Sequence, residues 1–83
     1  MYFTIGTVKL SNQDRELIRD SWERIDCAAD RGEECEPTCW QSFDQITVVI
    51  DSNGDIWHDD LLLAYRDADC AVAVGSMERI RIC

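Results

Sequence analysis

The stretch ITVVIDSNGDIWH, residues 46–58, decides the fold predicted for this chain. Its first five residues are β-branched, as in a buried strand, and the segment DIWH has the composition of a returning strand. Between them, Asn53 and Gly54 are placed at the two central positions of a tight turn, where both residues adopt positive φ. The sequence therefore predicts a β-hairpin in which Trp57 pairs with Ile50 and lies in the core.

An amphipathic helix is predicted on the N-terminal side of this hairpin. The segment YFTIGTVKL, residues 2–10, is typical of a strand, and Ser11 then caps a helix whose third residue, Asp14, reaches back to the cap. The helix is expected over residues 12–29. Apolar side chains at helical spacing predict a core-facing stripe of Ile18, Trp22, Ile25 and Ala29, with Leu17 beside it.

The remaining segments complete the predicted sheet. RGEECEPTCWQ, residues 31–41, contains glycine, proline and dense charge and is predicted to be a loop. DDLLLAYRDA, residues 59–68, is compatible with a short helix or a strand, and the helix propensities of Leu, Ala and Arg favour the helix. CAVAVGSMERIRIC, residues 70–83, predicts a second hairpin with Gly75 and Ser76 at its turn. The predicted fold is therefore α+β: one N-terminal amphipathic helix packed on a small antiparallel sheet of about four to five strands, in a single domain over residues 1–83.

The negative charge is concentrated in the middle of the chain. The net charge is −9, and residues 26–69 hold twelve acids against only Arg31 and Arg66. Such a segment repels nucleic acid and anionic lipid but attracts basic protein surfaces. We therefore expect a basic protein partner and no direct binding of nucleic acid or membrane. Improved solubility is the simpler explanation of the same charge.

The sequence shows neither the pattern of an export signal nor an apolar run long enough to span a membrane. The opening residues do not combine a basic start with an apolar run, and the longest apolar run, LLLAY at residues 61–65, is far shorter than the ~20 residues that cross a bilayer. A soluble, cytoplasmic protein is expected, in which the five cysteines are reduced thiols. The cytoplasm of an infected bacterial host is one such location.

Two possible metal sites are considered. Asp51, Asn53, Asp55 and Asp59 match alternate positions of a calcium loop, but Ile56 replaces the turn glycine and Leu62 replaces the bidentate acid. Cys27, Cys35, Cys39 and His58 offer a tetrahedral zinc set, although only Cys35 and Cys39 are closely spaced. The sequence therefore predicts no cofactor, and the alternative function is a small zinc- or thiol-based regulatory module using Cys27, Cys35 and Cys39.

Neither catalysis nor haem binding is predicted. His58 beside Asp59 and Asp60 lacks the further histidines of a phosphohydrolase site, and the sequence contains no phosphate loop or nucleophile motif. LSNQDRELIRDSW, residues 10–22, resembles the first helix of neuroglobin-type globins, but the chain is far too short for a globin. An enzyme is therefore not expected.

Trp40, which lies beside Cys39 among carboxylates, is either an exposed interface anchor or a cover for a small core.

In size and charge the chain resembles small acidic inhibitors encoded by phages and mobile elements, including anti-CRISPR proteins and other DNA mimics. The resemblance is one of composition and rests on no motif. It implies a non-enzymatic binding protein that occupies a basic, nucleic-acid-binding surface of its partner and so blocks DNA or RNA binding there. The contact surface is expected over residues 30–36 and 55–60, through Asp30, Glu33, Glu34, Glu36, Trp40, Asp55, Asp59 and Asp60.

Overall fold

The computed structural model describes residues 3–6, 8–42 and 45–83. Strands β1 and β2 form a two-stranded antiparallel sheet, and β3 to β8 form a six-stranded antiparallel sheet in which each strand pairs with the next along the chain. The predicted α+β class is confirmed, with six strands in the main sheet where about four to five were expected. The elements are β1 (Phe3–Ile5), β2 (Val8–Leu10), α1 (Asn12–Asp30), β3 (Thr38–Gln41), β4 (Thr47–Ile50), β5 (Ile56–His58), β6 (Leu61–Asp67), β7 (Cys70–Ala73) and β8 (Arg79–Arg81).

Helix α1 begins at the predicted capping box. Ser11 Oγ accepts the Asp14 backbone N–H at 3.2 Å, and Asp14 Oδ2 accepts the Ser11 N–H at 3.0 Å. Ile18 and Trp22 are buried as expected, but Ala28 is buried in place of Ala29. The buried face of the helix includes Asp14, Ser21 and Ala28, which are spaced seven residues apart. Ala29 lies outside this face and is exposed.

The helix contacts both edges of the six-stranded sheet. Arg24 Nη2 donates a hydrogen bond to Thr38 Oγ1 of β3 at 2.6 Å. At the opposite edge, Arg15 Nη2 donates to the backbone oxygen of Arg81 in β8, also at 2.6 Å. The helix therefore bridges the two edge strands. One continuous cluster of buried apolar residues joins the helix and both sheets.

The hairpin predicted at residues 46–58 is confirmed, but its register differs by one residue. The backbone oxygen of Asp51 accepts the Gly54 N–H at 3.0 Å, so Ser52 and Asn53 occupy the centre of the turn. Within this turn only Gly54 has positive φ, at 88°. The turn is one residue longer than predicted, and consequently Ile50 pairs with Ile56 while Trp57 pairs with Val49. Trp57 is half-buried and not a core residue.

Three further predictions of secondary structure are corrected. Residues 61–67 form strand β6 and not a helix, because the backbone pairs with β5 on one side and β7 on the other. The predicted loop at residues 31–41 ends at Pro37, after which β3 pairs with β4. The predicted strand at residues 2–10 is a hairpin that reverses after Gly6, which has φ of 57°. Two residues of that segment, Tyr2 and Thr7, lie outside the described residues.

Candidate acidic interaction surface

The acidic loop lies at one end of the six-stranded sheet. Residues 31–37 leave the C-terminal end of α1 and enter β3, whose Thr38 pairs with Ile50 of β4. Because Ile50 directly precedes the turn at residues 51–55, this turn and the acidic loop lie at the same end. Ser52 accordingly lines a groove together with residues of the loop.

Two grooves flank the segment Glu33–Glu36, and all four residues of this segment line both of them. The first groove has a volume of about 460 Å³, and its other lining residues are Ile25, Ala29, Pro37 and Ser52. The second groove has a volume of about 550 Å³, and its other lining residues are Asp20, Glu23, Arg24, Cys27, Ala28 and Arg31. The segment therefore has a groove on two sides, while the Glu33 N–H joins its first residue to the helix by donating to the Ala28 backbone oxygen at 2.8 Å.

The carboxylates of this loop are exposed. The residues that are exposed to solvent include Asp30, Glu33, Glu34 and Glu36. Arg31 Nε lies 3.2 Å from Glu33 Oε2, but both side chains are about 60% exposed, so solvent screens this pair strongly. The ion pairs found among the described residues do not involve Asp30, Glu34 or Glu36. The loop therefore presents negative charge that cations of the described chain leave largely uncompensated.

The structure does not bring Asp59 and Asp60 into this surface. Strand β5 runs from Ile56, beside the turn at residues 51–55, to His58 at the other end of the sheet. Asp59 and Asp60 follow His58 and form the turn into β6. At a strand rise of ~3.3 Å per residue, the four positions from Asp55 to Asp59 span at most about 13 Å. The structure therefore divides the predicted surface over residues 30–36 and 55–60 into two groups of acids at opposite ends of β5.

Asp51 and Asp55 use their carboxylates to build the hairpin. Asp51 Oδ1 accepts the N–H groups of Asn53 and Asp55 at 2.9 and 3.0 Å, and its Oδ2 accepts Trp57 Nε1–H at 2.8 Å. Asp55 Oδ1 accepts the backbone N–H of Arg66 at 2.9 Å, which joins the turn to β6. These oxygens hold the turn together by accepting hydrogen bonds from main-chain and indole N–H groups, and Asp55 is half-buried. Asp55 therefore has a structural role and is not a freely exposed contact residue.

Trp40 is a core residue and not an exposed anchor. Its side chain is 9% exposed, and its Nε1–H donates to Asp14 Oδ1 at 3.2 Å in a buried contact. The ring therefore joins edge strand β3 to the first turn of α1. Of the two interpretations offered by the sequence, the cover for a small core is the one that the structure shows.

The cysteines are dispersed over the molecule. Cys27, Cys39 and Cys83 are exposed, whereas Cys35 and Cys70 are half-buried. Cys27 and Cys35 line the second groove, but Cys39 lies on β3 and His58 on β5, with β4 between them. In the described parts of the chain, no group of three or more His, Cys, Asp or Glu side chains is arranged to hold a metal ion. The candidate zinc ligands are thus not brought together.

The sequence reasoning missed a charged cluster at the middle of the helix. Arg66 Nη1 and Nη2 donate to the two carboxylate oxygens of Asp26, each at 2.8 Å, and the guanidinium carbon lies 4.7 Å from the centre of the Trp22 ring. The hydrogen bonds from Arg66 lower the pKa of Asp26, and the same bonds raise the pKa of Arg66. Forty positions separate the partners in sequence, so no local pattern indicates the pair.

Comparisons with known proteins provide no relative from which function can be inferred. No protein-family model matches the chain, and searches of curated proteins and of solved structures found no significant match. Within the described residues, no helix has the length and apolar character needed to cross a membrane. The site's own geometry is consequently the basis for a functional assignment.

Proposed function

We propose that this protein is a non-enzymatic, acidic binding protein that acts in the cytoplasm by occupying a basic, nucleic-acid-binding surface of a partner protein. The contact surface is the acidic loop of residues 30–36, and its charged side chains are Asp30, Glu33, Glu34 and Glu36. The observation that supports the proposal most directly is the exposure of these four carboxylates beside two open grooves. Asp59 and Asp60 lie elsewhere and are not part of this surface.

The mechanism is competition for cations that normally hold phosphate. Lysine and arginine side chains on the partner contact the loop carboxylates in place of the nucleic-acid backbone. Phage-encoded DNA mimics, which this chain resembles in size and charge, inhibit their targets in this way. Because each exposed ion pair contributes only ~0.2–1 kcal/mol, affinity arises from several pairs acting together. Binding therefore weakens and association slows as salt concentration rises.

The separation of the two acidic sites allows a matched test. The tagged protein is used at low salt to capture a partner from host lysate, and the partner is identified by mass spectrometry. Its affinity is then measured for the wild type and for two double variants, E33K/E34K and D59K/D60K, which change the net charge equally. We expect about a tenfold loss of affinity for E33K/E34K at low salt and little change for D59K/D60K.

Three outcomes would contradict the proposal. If both double variants bind as tightly as the wild type, the carboxylates do not form the contact. If both lose affinity equally, total charge matters and the loop does not. If the captured partner keeps its nucleic acid in the presence of saturating protein, competition for the basic surface is wrong.

A further inference from the structure

We propose that the first groove, between segment Glu33–Glu36 and helix α1, binds a short basic segment of the partner protein by accepting one apolar side chain that is flanked by arginine or lysine. This inference rests on the proposed function and adds the chemistry of the bound segment. The groove volume of about 460 Å³ lies within the range of ~300–1,000 Å³ that is typical of ligand pockets.

The helix side of the groove is apolar. Ile25 is only half-buried, although it packs against the hydrophobic core, and Ala29 on the next turn is exposed. Pro37 lines the groove at the end of the loop. An apolar side chain that enters here removes the remaining exposed surface of Ile25 from water, which favours binding by ~25 cal/mol per Å² of apolar area.

The charge around this groove selects a cationic occupant. Its lining includes Glu33, Glu34 and Glu36, and none of its described lining residues is basic. The second groove shares these acids and adds Asp20 and Glu23, but it also includes Arg24 and Arg31, so the formal charge of each lining is −3. The two linings therefore have equal net charge, but in the second groove arginine side chains repel an arginine or lysine that enters. The combination of an apolar floor with an acidic rim matches an apolar side chain that has basic neighbours.

Two blocked pentapeptides provide the test. The first contains a central leucine with two arginines on each side, and the second contains serine in place of the leucine. Their dissociation constants for the intact protein are measured by calorimetry at low salt. We expect the leucine peptide to bind about fivefold to tenfold more tightly, because only its side chain buries apolar area.

Two further measurements locate the leucine. The variant Ala29→Leu fills the groove from an exposed helix position, and leucine is a good helix former, so the fold is retained and the preference for the leucine peptide is lost. Cys35 lines both grooves, whereas Cys27 is exposed and lines the second but not the first. The leucine peptide should therefore slow alkylation of Cys35 severalfold without slowing that of Cys27, as followed by mass spectrometry.

The results separate this inference from the proposed function. Equal affinities of the two peptides for the wild type, or no binding of either, would overturn the groove inference. The same holds if Ala29→Leu keeps the preference or if Cys35 is not protected. The proposed function is tested independently by E33K/E34K and D59K/D60K against the captured partner, so it can stand when the groove inference fails.

Discussion

Trp22 Nε1 donates a buried hydrogen bond of 2.9 Å to the backbone oxygen of Gly54, which lies 32 positions further along the chain. This bond joins the middle of α1 to the turn between β4 and β5. Arg66 packs over the same indole ring and pairs with Asp26, so helix, turn and β6 meet at one cluster. The acidic loop leaves the C-terminal end of the same helix, where the Glu33 N–H donates to the Ala28 backbone oxygen at 2.8 Å.

Gly54→Ala should destabilise the protein much more than Gly75→Ala. The two glycines have nearly equal φ, 88° and 90°, so the backbone strain of an alanine is similar at both. A Cβ at Gly54 would lie 2.7 Å from Arg66 Cδ and 3.0 Å from Trp22 Nε1, whereas one at Gly75 meets nothing within 4 Å. We expect a loss of about 1 kcal/mol for Gly75→Ala and about 2–4 kcal/mol for Gly54→Ala. Urea unfolding measures both, and equal losses would contradict the close packing around Gly54.

Trp22→Phe should reduce the free energy of unfolding by about 2–4 kcal/mol. Phenylalanine removes the N–H that satisfies the buried Gly54 oxygen and leaves part of the indole volume empty. Trp57→Phe is the matched control, because Trp57 also donates through Nε1 but is only half-buried and bonds to the carboxylate of Asp51, a half-buried residue. Denaturant unfolding should show a clearly smaller loss for the control. A larger loss of unfolding free energy for Trp57→Phe than for Trp22→Phe would contradict the importance of the buried Trp22–Gly54 hydrogen bond.

The Asp26–Arg66 pair should contribute to stability at neutral pH and not in strong acid. Hydrogen bonding to Arg66 lowers the pKa of Asp26 from its ordinary value of 3.8, so the folded state favours the ionised carboxylate. The resulting stabilisation is present above pH 3.8 and is lost as the pH falls through the lowered folded-state pKa. Asp26 is 57% exposed, so solvent screening keeps the effect small.

A double-mutant cycle isolates this contribution. Asp26→Asn should destabilise the wild type near pH 6 and have less effect near pH 2.5, as measured by urea unfolding at the two pH values. In the Arg66→Met background, the same substitution should have a similar, smaller effect at both pH values. If the cost of Asp26→Asn in the wild type is the same at both pH values, the ion pair does not contribute as described.

Metal content tests the alternative of a zinc- or thiol-based module. The purified protein is expected to contain less than about 0.1 zinc per chain, because a structural site needs four converging ligands. Cys39→Ser should leave both the zinc content and the thermal midpoint unchanged, since Cys39 is exposed on β3. Elemental analysis and thermal unfolding provide the measurements. One zinc per chain that is lost together with stability in Cys39→Ser would favour the regulatory module instead.

Features that depend on short-range interactions were predictable from the amino-acid sequence. The capping box of Ser11 and Asp14 involves residues three positions apart, and the hairpin around Gly54 is specified by a turn between two β-branched and aromatic segments. The α+β class and the concentration of acids in the middle of the chain followed from the same local reading. These features were predictable because their causes lie within a few residues.

Features that depend on partners far apart in the sequence could be seen only in the folded chain. Residues 61–67 became a strand because β5 and β7 supply hydrogen bonds on both sides, which outweighs their weak preference for a helix. Trp40 is buried and donates a hydrogen bond to Asp14 of the helix. Arg66 pairs with Asp26, which lies 40 positions away in the sequence. Strand β5 separates Asp59 from the acidic loop, because it carries the chain from the turn at residues 51–55 to the opposite end of the sheet.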